Sequence, residues 1–458
     1  MPAEIRFRRR LVRAMAFCNL QSEDKAQTEL LAAGQERPAN PQDDIQLQLA
    51  GARCDQALGN FSKAYDEFAA IQRSSTQDGF AKLYALLGMG SCSVRQHHYE
   101  DALRWYLLSQ VAATALKAVP YEQVAQGNLG FLYLELGDVE QALTNSKAAV
   151  DLTTHGGADT YLESWLLNLG RVYHNTGQSG LAKESYERAL KLATSRGNDL
   201  VAARCLHNLV QFEVLKGNIA QASEYHNQAK RLHLSQEIDL RDLRIDSAYL
   251  LAANGEYSVA EPELLQLISE VRDTPRLEWS LEAELARVYA KQGRRNLADL
   301  WFRKGISTME EASANMKQAP FAIAMLDSWP IFDDYIAFLY EQKQPEHALQ
   351  VAQLARARNL AEQLGVKPHK EGPRAWVGRI EAMLRSRHSV LLAYYEAEHE
   401  TYAWIVTGKG LKMTALGVDQ NDLETLADQY WAEIDQHYPI DSSPTQQKLY
   451  QILIKPFQ

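Results

Sequence analysis

Along roughly the first four-fifths of the chain, apolar residues recur three and four positions apart, the spacing that gathers them on one face of an α-helix. The segments so marked come in pairs, and the pairs repeat. An alanine returns at Ala26, Ala64, Ala102, Ala142, Ala182, Ala222, Ala260 and Ala298, in steps of 38, 38, 40, 40, 40, 38 and 38 residues. Twelve residues before each stands Ala14, Ala52, Gly90, Gly130, Gly170, Val210, Ala248 or Ala286. Two helices approach closely only where side chains are this small, so both series mark one crossing point. Five residues before the alanine, six of the eight units carry glycine: Gly59, Gly137, Gly177, Gly217, Gly255 and Gly293. Glycine there ends a helix by adopting a left-handed conformation that turns the chain back. Four residues after the alanine comes a mostly large side chain (Leu30, Phe68, Tyr106, Ser146, Tyr186, His226, Leu264, Phe302), one turn along the same face and expected to fill the space between units.

Each unit thus reads helix, turn, helix. Segments such as NLGFLYLELGDVEQALTNSKAAV (128–150) and NLGRVYHNTGQSGLAKESYERAL (168–190) resemble tetratricopeptide repeats in their order of small, glycine, alanine and aromatic positions. The period exceeds the usual repeat of about 34 residues, which predicts helices longer by about a turn, as in the kinesin light chain type. A ninth unit is expected around Ala348, after a spacer of 50 residues that includes 316–332. The expected fold class is mainly α: a right-handed, TPR-like αα-superhelix of eight to nine long hairpins over residues 1–365. The first helices of stacked hairpins line a concave surface, so binding residues should recur at one position of those helices.

Asn128, Asn168 and Asn208 do so, 40 residues apart and each two before the small contact residue. In the repeat groups that this chain resembles, an asparagine here faces the groove and pairs with the backbone of a bound peptide. The amide suits that role because it both donates and accepts. One position past the small residue lie Arg171, Gln211 and Arg287, and one turn earlier on a first helix lies Arg204; these would attract carboxylates of an acidic segment. The competing reading is that the asparagines only make local hydrogen bonds within their hairpins.

Beyond the repeats, 366–387 read as a linker rich in Pro and Gly, and 388–458 change character. SVLLAYYE (389–396), ETYAWIVT (400–407) and LKMTAL (411–416) predict a three-stranded meander, followed by helices over about 420–436 and 444–455. The ARAR helix (Ala355 to Arg358), the strand pair and KLYQILIKPF (448–457) together resemble the opening of a CHAT domain, the caspase-like and separase-like unit that follows repeat arrays in bacteria. The resemblance implies a partial α/β unit without the later strands that bear a His–Cys dyad. No cysteine follows Cys205, so His369, His388, His399 and His437 have no thiol to activate, and no catalytic residue is expected. A three-stranded sheet has open edges, which predicts either self-association or docking on the solenoid.

Composition narrows the partners. Lys plus Arg total 48 against 58 Asp plus Glu, a formal charge of -10, which disfavours nucleic acid and anionic membranes. The basic start, Arg6 to Arg13, reads as a solvated helix face rather than a leader or membrane span. Cys18, Cys54, Cys92 and Cys205 form no C-x-x-C pair; they read as small buried residues without disulfides, consistent with a cytoplasmic location. Adjacent His97 and His98 replace the turn glycine of the third unit and read as turn residues, since neighbours on a helix do not converge on one metal. No nucleotide, zinc-protease or hydrolase motif occurs. No metal and no cofactor is expected. Two functions follow: a scaffold that holds a protein or peptide, acidic in character, in the concave groove, or the sensor portion of a CHAT-type cysteine peptidase.

Overall fold

The structure is a computed structural model that describes residues 2–37, 40–74, 78–155, 161–234, 237–272, 274–314, 330–363, 372–435 and 443–457. It divides into two compact units, Met1–Asp246 and Ser247–Gln458. Most of the 316–332 spacer and the first part of the expected linker lie outside the described residues.

The predicted helix pairs are present. In the first unit they are α1 (Ala3–Asn19) with α2 (Glu23–Glu36), α3 (Pro41–Ala57) with α4 (Phe61–Arg73), α5 (Gly79–Arg95) with α6 (Tyr99–Ala115), α7 (Val119–Glu135) with α8 (Val139–His155), α9 (Leu162–Asn175) with α10 (Ser179–Ser195), and α11 (Asp199–Leu215) with α12 (Ile219–Ala229). Next come α13 (Glu237–Ala253) with α14 (Tyr257–Glu270), then α15 (Pro275–Lys291) with α16 (Arg295–Ala314). A ninth hairpin, Pro330–Glu341 and Pro345–Gln363, follows the same pattern around Ala348. All nine alanines of the series, Ala26 to Ala348, are fully buried at 0% exposure.

One turn geometry serves every hairpin. The residue after the left-handed one donates its N–H to the carbonyl five residues back, at 2.8–3.0 Å, from Ser22 to Phe17 in the first hairpin through Asp138 to Tyr133 in the fourth and Gln344 to Leu339 in the ninth. This bond satisfies a helix-end carbonyl that would otherwise be orphaned. Three turns achieve it without glycine: Gln21, His97 and Lys343 have φ of 56°, 59° and 57°. The turn role expected of His97 is thus its backbone role, and its Nδ1 lies 3.0 Å from the Tyr99 hydroxyl.

The large residue four past each alanine packs against more than the neighbouring unit. Tyr106 and Tyr186 lie where a Cβ on Gly90 or Gly170 of their own hairpin would sit, so the small position exists to seat that ring. Phe68 fills the corresponding space on Gly88 of the next hairpin. In the sixth hairpin this position holds His226, 4% exposed, with neither ring nitrogen hydrogen-bonded among the described residues. Burial, then Lys230, push its pKa down to about 4. Between pH 6.5 and 4 the unfolded chain binds a proton that the folded imidazole refuses, so stability falls as pH drops through that window. His226→Phe should therefore raise the melting temperature, and the gain should grow on acidification from pH 7 to 4.5; a gain independent of pH would rule this account out.

The cysteines depart from expectation. Cys18 and Cys54 form a disulfide between α1 and α3, with Cα atoms 5.3 Å apart, correcting the reading of all four as unpaired packing residues. Only Cys92 and Cys205 are free, and burial pushes both thiols up to about 12. The basic start is not simply solvated either. Arg10 and Arg13 both pair with Glu29 of α2, 5% exposed, at 2.9 Å.

The second unit carries the sheet. Part of the expected linker is helical, over Pro373–Arg387. Strands β1 (Leu391–Glu396), β2 (Thr401–Thr407) and β3 (Gly410–Ala415) form an antiparallel meander with β2 in the centre, then helices Gln420–Asp435 and Pro444–Leu453. The sheet is seated on the ninth hairpin. Trp404, 0% exposed, donates its indole N–H to the Pro345 carbonyl at 3.1 Å. The Tyr395 hydroxyl and the Glu398 N–H both donate to Asp333, at 2.8 and 3.0 Å. The Tyr402 ring packs against Tyr340 with centroids 5.4 Å apart. Of the two outcomes expected for the tail, it is docking on the repeats that these contacts describe.

Candidate binding groove

Within the first unit, α1, α3, α5, α7, α9 and α11 touch one another in series, forming a single row of first helices. Asn128 on α7, Asn168 on α9 and Asn208 on α11 occupy the same place on successive members, each half-buried. Their hydrogen bonding differs. The Asn208 amide donates to the Arg204 carbonyl of its own helix at 2.7 Å, the local bond of the competing reading. The Asn128 and Asn168 side chains have no hydrogen-bond partner among the described residues, leaving two amides on adjacent helices with donors and acceptors unspent.

In the next three hairpins the same repeat position carries Asp246, Glu284 and Asp334, so the series turns from amide to carboxylate. These acids hold the cations one helix face away. His207 Nδ1 lies 2.7 Å from Asp246 Oδ1, with His207 19% exposed and Asp246 fully buried. Burial alone would depress the imidazole, but Asp246 and Asp242 outweigh it and push its pKa up to about 9, Arg171 working against them. His207 Nδ1 donates to the Asp246 carboxylate, whose own pKa burial raises although the imidazole opposes it. The His207 Nε2 lies 3.0 Å from the Gln211 amide nitrogen.

The arginines expected to meet an acidic ligand are differently placed. Arg171 pairs with Glu135 at 2.6 Å, and its guanidinium lies over the Phe131 ring. In the second unit Arg287 is held by Glu284 at 2.6 Å and by Asp334. Burial opposes its charge, but Glu284 and Asp334 outweigh it, holding its pKa above the ordinary value. Both guanidinia are thus neutralised within the chain, while Arg204 lies on α11 in the row, with interactions of its own.

Two features went unread in the sequence. Arg95, the last residue of α5, is exposed, stands over the Phe61 ring at 5.1 Å, and makes no ion pair among the described residues. The other is an aromatic band at the starts of α5, α7 and α9. Phe80 and Tyr84 both lean on Tyr121, with centroids 6.1 and 6.4 Å away, and Tyr161 on Trp165. Trp165 lies where Gly127 lacks a side chain, joining α9 to α7. Phe80 and Tyr161 are each 50% exposed. A clue existed in the alignment of the repeats, since Arg95 and Glu135 share a position, seven before the alanine.

Residues 121–195 and 161–235 match the tetratricopeptide repeat family. No curated protein matches the chain in sequence. Among solved structures, the chain is similar to NprR in complex with its cognate peptide NprX, at 16% identity, with 76% of this chain and 96% of that chain covered and a TM-score of 0.51. It also matches the apo form of the quorum sensor NprR from B. thuringiensis (18% identity, 78% and 98% covered, TM-score 0.49). A third match is a Rap protein complexed with Competence and Sporulation Factor (13% identity, 80% and 94% covered, TM-score 0.40). The first of these supports a common fold: stacked tetratricopeptide-like hairpins.

Proposed function

We propose that the first unit holds an extended peptide segment of a partner protein against the row of first helices, with Asn128 and Asn168 gripping the peptide backbone. The observation that carries this reading is the pair of unspent, half-buried amides on adjacent helices. A carboxamide can accept from a peptide N–H while donating to a C=O, so two at a fixed spacing select extended backbone over isolated side chains. The similar fold of NprR, solved with a cognate peptide, supports the reading. Asn208, already bonded within α11, contributes less, Arg171 acts mainly as a fixed part of the row, and Arg287 is held by its own acids within the second unit. Gln211 and His207 border the site next to α9 and give it polarity rather than net charge.

The test is selection from a random library of capped peptides on the immobilised protein. Peptides enriched on the wild type should bind Asn168→Ala about tenfold more weakly, and Asn128→Ala with Asn168→Ala more weakly still, as expected when a buried hydrogen bond to a ligand is lost. Retention of full affinity by the double variant would exclude the proposal.

For the tail, the reading as the opening of a CHAT domain stands as a second proposal. It is favoured by the order of a three-stranded antiparallel meander and two helices behind the last hairpin. Reading the genomic frame past codon 458 for His and Cys on further strands tests it.

A further inference from the structure

Seating on the ninth hairpin uses one face of the sheet and leaves the edge of β1 open. The turn between β1 and β2 fixes which backbone groups point outward there. Ala397 donates its N–H to the Glu400 carbonyl across Glu398 and His399, so these two residues form a hydrogen-bonded pair. Bonded and non-bonded pairs alternate along an antiparallel ladder. With Tyr395 opposite Tyr402, Ala393 opposite Trp404 and Leu391 opposite Val406, β1 spends the backbone groups of these three residues on β2. It turns those of Leu392, Tyr394 and Glu396 away from the sheet. The far side of β2 agrees in phase, since Thr407 faces Gly410 across a tight turn and the alternate residues of β2 bond to β3. None of the outward groups of Leu392, Tyr394 and Glu396 has a hydrogen-bond partner among the described residues.

The two edges of the sheet differ. β3 carries the exposed Lys412 in its middle, and the helix Pro345–Gln363 lies against it. β1 has neither charge nor proline from Ser389 to Tyr395, the devices by which edge strands refuse a new neighbour. Val390, Leu391 and Leu392 are all exposed, and Ile454 stands beside the same strand because the Tyr394 hydroxyl donates to the Leu453 carbonyl at 2.6 Å. Charge of opposite sign marks the two ends: Arg387 and His388 before the strand, Glu396 at its close, all exposed. Neither Arg387 nor Glu396 makes an ion pair among the described residues.

We propose that β1 pairs antiparallel with β1 of a second copy of this chain, joining two sheets into one across a twofold axis at Leu392. Charge selects this occupant: a strand with cations at one end and an anion at the other is its own antiparallel complement. About that axis Leu392 meets Leu392 of the second copy, and Tyr394 meets Val390. Glu396 comes to the end that carries Arg387 and His388. The contact is isologous, so it closes at a dimer. It is independent of the peptide-binding reading, which concerns the first unit.

Light scattering of the full chain over a dilution series, with amide hydrogen exchange beside it, provides the test. Wild type should be a dimer that dissociates on dilution, more readily at high salt, and the dimer should protect the amides of Leu392, Tyr394 and Glu396. Leu392→Pro removes an N–H that β2 does not use, and Leu392→Lys places two like charges on the axis. Each should keep the circular dichroism of the wild type and weaken the dimer about tenfold or more. Glu396→Lys, an exposed change at the strand end, should also weaken it, and adding Arg387→Glu should restore it. A monomer at every concentration would overturn the proposal. So would a dimer that neither Leu392 variant weakens, or one whose formation leaves the three outward amides unprotected.

Discussion

Reduction of the Cys18–Cys54 bridge should lower the stability of the first unit by about 3–4 kcal/mol. The bridge spans 36 residues and ties α1 to α3, so in the unfolded chain it closes a loop whose entropy is restored when it opens. Both cysteines are essentially buried, beside Ala26 and against Phe17, Leu30 and Leu58, so opening it also leaves two thiols in an apolar contact built for one bridge. Cys18→Ser should reproduce the loss without reductant and make the protein insensitive to it. Urea unfolding followed by circular dichroism, with and without dithiothreitol, measures the effect. A midpoint unmoved by reductant would mean that the bridge contributes nothing to the native state.

The His207–Asp246 pair should make the first unit less stable in mild alkali. The folded imidazole has its pKa pushed up to about 9, above the ordinary value of about 6.5, because Asp246 and Asp242 overcome the burial that opposes them. A raised folded pKa contributes stability that is fully present below 6.5 and is lost as pH rises through 9. The loss over that window should approach 3 kcal/mol at most, by the usual conversion of pKa shift to free energy. Asp246→Asn removes the anion while keeping the shape. It should cost about 3 kcal/mol at pH 6, since one partner of a buried pair then stands uncompensated, and flatten the profile between pH 6.5 and 9.5. Melting curves across that range decide it: equal slopes for wild type and variant would show that the pair carries no such linkage.

The repeat was legible because its constraint is local. Ala26 to Ala348 are buried wherever the spacing places them, and the turn geometry recurs even where Gln21, His97 and Lys343 stand in for glycine. Register decides the backbone conformation there, and the missing glycine only makes it costlier. The strands were legible for a similar reason: β-branched and aromatic runs bounded by charged and glycine turns fit a pleated surface. The disulfide was not, because Cys18 and Cys54 stand at different phases of their units, and only the contact of α1 with α3 brings them together. The helix at Pro373–Arg387 was hidden behind its prolines and glycines, although Pro373 is well suited to a first helical turn. In the groove, the asparagine series was visible as a repeat, but the fate of each charge was not. Arg171 meets Glu135 and Arg287 meets Asp334 across 36 and 47 residues, and nothing within a single unit records those pairings.

Seating the sheet on the ninth hairpin has a consequence for assembly. Repeats of this kind bury their faces only against another repeat, so the last hairpin of a bare stack is a template for the first hairpin of the next molecule, and such contacts propagate into fibres. Trp404 and Tyr402 pack on that hairpin, and Asp333, whose pKa burial pushes up to about 6, accepts hydrogen bonds from the Tyr395 hydroxyl and the Glu398 N–H. A stack ending on this hairpin thus has part of that face already taken by the chain's own sheet.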